Sequence, residues 1–157
     1  MSFFSSHKKY ILPILNILTL CIIIFTVSAV VIHKSNLFIG IILIFLSALC
    51  LSSLVLFKIK IRNVEPDILF GIIDNGILAI LAIWGGEMAG VVGAVIGGVV
   101  GNSITDGIAG IFEGYWAERL RNKNINEERM VLGSAVGKMS GCLLAAGIVL
   151  IIVGLVV

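Results

Sequence analysis

Charge is scarce in this sequence. Charged residues make up 13% of the 157 residues and apolar residues 59%, whereas a soluble domain has about 25% and about 45–50%. The mean hydropathy of +1.18 would leave a water-soluble fold with too much exposed hydrocarbon. The formal net charge of only +2 gives no basic patch for a polyanion. These proportions exclude a cytosolic enzyme, a nucleic-acid-binding domain and a disordered tail.

Residue types that catalyse reactions or bind metals are also sparse. The two histidines, His7 and His33, lie at the edges of apolar runs. Three cysteines, Cys21, Cys50 and Cys142, lie inside such runs without a CxxC spacing, which argues against a disulfide framework or a thiolate metal site. The sequence also lacks a nucleophile–base pair, a phosphate-binding loop and a zinc motif. It therefore predicts neither an enzyme nor a bound cofactor.

Long apolar runs predict an all-α integral membrane protein. A transmembrane helix needs about 20 apolar residues. Five stretches reach or approach that length, at 10–32, 37–57, 68–84, 89–116 and 130–157. With the amino terminus inside, nine Lys and Arg residues lie on the inner side and only Lys34 lies in an outer loop. The positive-inside rule therefore predicts five spans with the carboxy terminus outside.

The first span has an alternative interpretation as a signal peptide. Basic residues at 7–9 precede an apolar run, and 27–29 offers a small-residue cleavage site. The apolar run is longer than a usual signal core and continues through 30–32, which favours a membrane span. An Arg-rich amphipathic mitochondrial presequence is absent.

Composition divides the chain near Arg62. Gly40 is the one glycine before that point, and the other 17 of the 18 glycines follow it. Close helix packing in lipid needs small residues, because lipid provides no hydrophobic drive between helices. We therefore interpret residues 1–62 as two accessory, lipid-facing transmembrane helices and residues 63–157 as a glycine-rich module of three transmembrane helices.

Two glycine stripes in that module predict helix packing. Residues four apart stay near one face of a helix. The stripes consist of Gly93, Gly97 and Gly101 on the fourth span, and Gly133, Gly137 and Gly141 on the fifth. One stripe is expected to pack within the chain and the other to form the seam of a homodimer.

An acid lies deep in the third span. Pro66 and Asp67 suit the start of that helix, so Asp67 needs no further function. Asp74 and Asn75 follow about two turns later, on the order of 10 Å into the membrane. An ionisable side chain at that depth is unfavourable by several kcal/mol unless it is paired or hydrated, so Asp74 calls for an explanation.

The fourth and fifth spans add further polar residues. Asn102, Asp106 and Glu113 fall within about 40° of one another on a helix, with Thr105 beside them. Lys138 lies about eight residues from the inner end of the fifth span. Since span four runs opposite to spans three and five, all these groups are predicted to share one layer with Asp74 and Asn75.

The layer allows three interpretations. It can be a cation site or path, a structural network in which Lys138 neutralises Asp106 or Glu113, or a contact with a partner. One base cannot neutralise three acids, which favours the cation site with Lys138 as its counter-charge. Carboxylate, amide and hydroxyl oxygens suit hard cations such as Ca²⁺ and Na⁺. Glu87, at the outer turn, is either a surface acid or an entry group for cations.

Six short motifs resemble the transmembrane protein 65 family. They are FGIIDNG at 70–76, GEM at 86–88, GNSITDGIAG at 101–110, GYWAERL at 114–120, VGK at 136–138 and GC at 141–142. The resemblance covers about residues 66–157 and leaves the first two spans outside it.

That resemblance implies a three-helix membrane module, which in animal members lies in the mitochondrial inner membrane and is associated with sodium-dependent calcium efflux. It marks Asp74, Asn75, Glu87, Asn102, Asp106 and Lys138 as important. The two extra spans and the missing presequence indicate a prokaryotic plasma-membrane relative.

The sequence thus predicts a cation transporter or exchanger that forms a homodimer. One alternative is a non-transporting interaction protein that docks another membrane protein. Another is a divalent-metal carrier similar to the vacuolar iron transporters, although the Glu-rich segment typical of those carriers is missing between 118 and 130.

Overall fold

The chain is built from long helices. The computed structural model describes the backbone of residues 3–122 and 131–156, and the side chains of 11–109, 111 and 131–156. Its elements are α1 (Phe3–Val31), α2 (Asn36–Leu56), a 3₁₀ turn (Ile61–Asn63), α3 (Glu65–Asn122) and α4 (Val131–Val156). Each of the four α-helices contains a stretch long and apolar enough to cross a membrane. The prediction of an all-helical fold with helices that could cross a membrane is confirmed for these residues.

Helix α3 doubles back on itself at two residues. Ala89 has φ −141° and ψ 23°, and Gly90 has φ 61° and ψ −140°. The positive φ of Gly90 is a conformation that glycine adopts without the steric penalty of a Cβ atom. The reversal divides α3 into a first arm, residues 65–88, and a second arm, residues 91–122. It lies where the sequence predicts the boundary between the third and fourth apolar stretches.

The first glycine stripe holds the two arms together. A Cβ atom on Gly97 would lie 2.7 Å from the carbonyl carbon of Leu81, and one on Gly101 would lie 2.8 Å from the Cα of Leu78. Gly93 likewise meets the backbone of Gly85. The contacted residues on the first arm decrease in number from 85 to 81 to 78 as the glycines on the second arm increase from 93 to 97 to 101. The two arms therefore run side by side in opposite directions.

Helix α4 packs against α2 on one side. A Cβ atom on Gly40 would lie 2.6 Å from the carbonyl oxygen of Gly147. Further along, the buried Ser47 hydroxyl donates to the carbonyl oxygen of Ser140 at 2.8 Å. These contacts make α2 an integral part of the bundle, and correct the interpretation of α2 as a lipid-facing flank.

The second glycine stripe packs α4 against the first arm of α3. A Cβ atom on Gly71 would lie 2.9 Å from the Cys142 nitrogen, and one on Gly137 would lie 2.9 Å from the Asp67 Cβ. Gly141 in turn lies against Gly71, and these pairs show that the two helices run parallel. Intrachain contacts are therefore made by both stripes, at Gly93, Gly97 and Gly101 in the first and at Gly137 and Gly141 in the second, and the homodimer stays a prediction.

A buried apolar cluster closes one end of the bundle, beside the 3₁₀ turn. Its members come from α1, α2, α4 and the segment between α2 and α3, and they are Leu20, Cys50, Leu54, Ile59, Val64, Leu132 and Val136. Much of α1 remains exposed, including Phe25 at 77% and Val30 at 70%. This distribution suits a helix that faces hydrocarbon.

Replacing Gly97 with alanine should destabilise the protein. The new methyl group would overlap the Leu81 backbone, and overpacking of this kind costs about 1–3 kcal/mol. The neighbouring Gly98→Ala is the matched control, because a Cβ atom there meets nothing within 4 Å. Thermal melting in detergent, followed by circular dichroism, should show a lower midpoint for Gly97→Ala alone; equal midpoints would refute the close packing of the arms.

Candidate functional site

Asp74 lies in the first arm of α3 and faces the second arm. Its carboxylate is half-buried and accepts a hydrogen bond at Oδ1 from the hydroxyl of Thr105. Thr105 is 2% exposed, and its Oγ1 also lies 3.1 Å from the carbonyl oxygen of Gly101. The glycines that bring the arms together thus bring a hydroxyl donor to a carboxylate within apolar helices.

Asn75 connects this carboxylate to α4. Its Nδ2 donates to Asp74 Oδ2 at 3.3 Å and lies 2.6 Å from Cys142 Sγ. The Asn75 side chain is half-buried, as is that of Cys142. Groups from both arms of α3 and from α4 therefore meet around Asp74, which forms a cluster of Asp74, Asn75, Thr105 and Cys142.

A second polar pair lies on a different face of the second arm, about 100° round from Gly101 and Thr105. Asn102 Nδ2 donates to Asp106 Oδ2 at 2.8 Å, and both side chains are exposed in the single chain. Because residues four apart share a helix face, Asn102 and Asp106 lie together, whereas Thr105 and Gly101 face the first arm. The predicted single layer is thus resolved into an inward cluster at Asp74 and an outward pair at Asp106.

Lys138 lies on the α4 surface that faces the first arm. Its side chain is half-buried, and its Nζ is 4.5 Å from the centre of the Phe70 ring. An ammonium group over an aromatic face is stabilised by about 0.5–2 kcal/mol, with the higher values at desolvated sites. Because Phe70 is five residues after Glu65, the contact places a positive charge about one and a half turns into the first arm.

Asp67 is the residue that sequence reasoning underestimated. It is 7% exposed, and its Oδ1 accepts a hydrogen bond from Ser134 of α4 at 2.8 Å. A signal was present in the sequence, because Asp67 and Asp74 are seven residues apart and so lie about 20° apart on a helix. The assignment of Asp67 to the helix start alone overlooked that shared face.

Two further acids, Glu87 and Glu113, were predicted as site residues. Glu87 is exposed and lies beside the reversal at residues 89–90, as expected for an acid at a turn. The side chain of Glu113 falls outside the described residues.

The Asp74 cluster offers oxygen ligands and one sulfur. Hard cations prefer carboxylate, carbonyl and hydroxyl oxygens, and Asp74, Asn75 and Thr105 supply one of each side-chain type. Among the described residues, no group of three His, Cys, Asp or Glu is placed to hold a metal ion. The cluster of a single chain thus has one carboxylate, whose charge balances a monovalent cation.

The fold and the site together define a class of protein. Four long, apolar helices are those of a multi-pass helical membrane protein, and the bundle encloses a carboxylate with its hydrogen-bond partners. Comparisons with models of protein families, with curated proteins and with solved structures found no match. The resemblance to the transmembrane protein 65 family stays a prediction from the motifs.

Removing the Thr105 hydroxyl should destabilise the protein through Asp74. Thr105→Val keeps the shape of the side chain but leaves Asp74 Oδ1 without its donor, which costs about 1–3 kcal/mol. Thr105→Ser keeps the hydroxyl and is the matched control. Melting of Thr105→Val in the wild-type and Asp74→Asn backgrounds should give non-additive losses; additive losses would show that the two groups do not interact.

Proposed function

We propose that the protein is a membrane cation transporter whose first ion site is the Asp74 cluster. The observation that carries the proposal is the Asp74 carboxylate, held by Thr105 and Asn75 within a bundle of apolar helices. Ionisable side chains inside a membrane are rare, and they commonly mark ion pathways because a purely structural role does not offset their desolvation. Asp74, Asn75 and Thr105 would replace the hydration shell of an entering ion.

Both arms of α3 would cross the membrane, which gives five crossings. Residues 65–88 extend for about 35 Å and residues 91–122 for more than that, and a bilayer core is about 30 Å thick. The positive-inside distribution supports an internal amino terminus and an external carboxy terminus. The reversal at 89–90, with Glu87 beside it, would then face outside, where Glu87 can attract cations. The plasma membrane of a prokaryote is the proposed location.

The Asn102–Asp106 pair supports a homodimer. On the second arm, exposed residues recur at spacings of three and four; they are Val92, Val95, Val99, Asn102 and Asp106. This is the spacing of a coiled-coil seam, in which a polar residue such as Asn sets the register. An acid facing lipid at mid-helix is unfavourable by about 2.5–3.5 kcal/mol, and pairing two identical faces removes Asp106 from lipid.

A homodimer would also supply a second Asp106 carboxylate, which one chain lacks. In a symmetric pair, two Asp106 carboxylates approach each other, and two like charges need a cation or a proton between them. Two carboxylates balance a divalent ion, and the single carboxylate of each Asp74 cluster balances a monovalent one. This division of charge supports an exchange of Na⁺ against Ca²⁺, the activity that the motif resemblance implies.

A second candidate function follows from the same exposed pair. The seam of the second arm can instead bind another membrane protein, in which case the purified chain would carry no ion flux. In the transporter, a second copy of the chain covers Asp106. In the alternative, a different membrane protein covers it.

Flux measurements test the transport proposal. Purified protein in liposomes should move radioactive sodium or calcium down a gradient of the other ion, and Asp74→Asn and Asp106→Asn should each lower the rate at least tenfold, that is, by about 1.4 kcal/mol in the barrier. Glu65→Gln is the control, because Glu65 is an exposed acid outside both proposed sites. Undiminished flux in Asp106→Asn would remove Asp106 from the mechanism, and undiminished flux in Asp74→Asn would refute the proposal.

Cysteine crosslinking tests the dimer seam. In a chain whose native cysteines are replaced, Val95→Cys should form a disulfide-linked dimer in native membranes, because Val95 lies on the seam and is 60% exposed. Ile96→Cys is the control, since Ile96 is 58% exposed but lies about 100° further round the helix. Equal crosslinking at both positions would contradict the seam, and crosslinking of Val95→Cys to a different protein would favour the second candidate.

A further inference from the structure

Charged, polar and aromatic side chains form a row along the contact between the first arm of α3 and α4. We call this row the ladder. On the first arm, Asp67, Phe70 and Asp74 are three and four residues apart and so share one face. On α4, Ser134, Lys138 and Cys142 are each four residues apart and also share a face. Parallel packing joins these faces, through Ser134 to Asp67, Lys138 to Phe70, and Cys142 to Asn75 beside Asp74.

The ladder places one ammonium group between two carboxylates. Asp67 and Asp74 are about 10 Å apart along the helix axis. Lys138 Nζ sits over Phe70, which lies between the two acids in the sequence and on their shared face. From its position at Phe70, the flexible Lys138 side chain has Asp67 on one side along the axis of α3 and Asp74 on the other.

Asp67 lies buried at the start of α3, with a hydroxyl donor from α4 beside it. Asp67 is 7% exposed, and Ser134 donates to its Oδ1. It also lies in the first turn of α3, where the helix dipole stabilises a negative charge.

We propose that Asp67 is the alternate partner of the Lys138 ammonium, which pairs with Asp74 when the ion site is empty and with Asp67 when a cation occupies Asp74. This inference rests on the proposed function, because it describes how the Asp74 cluster is vacated and filled. An incoming cation replaces the ammonium at Asp74, and the ammonium then pairs with the second carboxylate, so both acids have a counter-charge once the cation is bound. The Phe70 ring, which lies between the two acids on their shared face, stabilises the ammonium group beside it.

The ladder predicts a specific coupling between Asp67 and Lys138. Without the Asp67 charge, Lys138 remains at Asp74 and competes with the cation, so Asp67→Asn should raise the Kd of the cation about tenfold or more. Lys138→Gln removes the competitor, so the double variant Asp67→Asn/Lys138→Gln should bind the cation within about twofold of Lys138→Gln alone. A structural role for Asp67 at the helix start would not be rescued by removing Lys138.

Isothermal titration of the purified full chain in detergent provides the measurement. Calcium chloride and, separately, sodium chloride are added to protein in choline chloride. Glu65→Gln is the matched control, because Glu65 is an exposed acid in the same first turn of α3 and should leave the Kd unchanged. If Asp67→Asn does not fold, Asp67→Ser replaces it, since serine also suits a helix start and lacks the charge.

The outcomes separate the inference from the proposed function. Wild-type binding that Asp74→Asn abolishes, together with rescue of the Asp67 variant by Lys138→Gln, supports both. Wild-type binding that Asp74→Asn abolishes, with an Asp67 effect that is absent or the same with and without Lys138, overturns the ladder and leaves the ion site standing. Absence of wild-type binding, or binding that persists in Asp74→Asn, overturns the ion site and the ladder together.

Discussion

The contact between the Thr105 hydroxyl and the Asp74 carboxylate is the interaction on which the account depends. It joins the two arms of α3 inside a bundle of apolar helices, and it requires the arms to approach more closely than larger residues would allow. Glycines at 93, 97 and 101 provide that approach. Burial of the Asp74 carboxylate requires hydrogen-bond partners. The close packing of the two arms supplies one of them, so the helix packing and the proposed ion site depend on the same contact. A change that separates the arms would therefore disturb both.

Much of the fold follows from hydrophobicity and small residues. The apolar runs predicted the helices, and the position of Gly90 at the reversal agrees with the expected boundary near residue 89. The roles of the glycine stripes could not be assigned from one chain, because a four-residue spacing gives a flat face without naming its partner. The contribution of α2 was missed for a related reason: its contact with α4 depends on Gly40 and Ser47, two small residues within an otherwise apolar sequence.

The sequence predicted most of the residues of the site but not how they are grouped in space. Helical periodicity grouped Asn102 with Asp106 and marked Asp74 as buried, but it could not show that Thr105 alone turns toward Asp74 while Asp106 points outward. Asp67 was overlooked because helix-start chemistry already explained it. Its contact with Ser134 depends on the register between α3 and α4, which a single sequence does not specify. Long-range register is thus the information that separated the two polar groups and revealed the ladder.

The central claim, that the Asp74 carboxylate binds a cation within the bundle, can be observed at the carboxylate itself. Infrared difference spectra of the reconstituted protein, recorded on adding calcium chloride or sodium chloride, report changes in carboxylate stretching bands. Cation binding at Asp74 should give a cation-dependent carboxylate band in the wild-type protein that is missing from Asp74→Asn. A spectrum without such a band, or one that Asp74→Asn leaves unchanged, would contradict it.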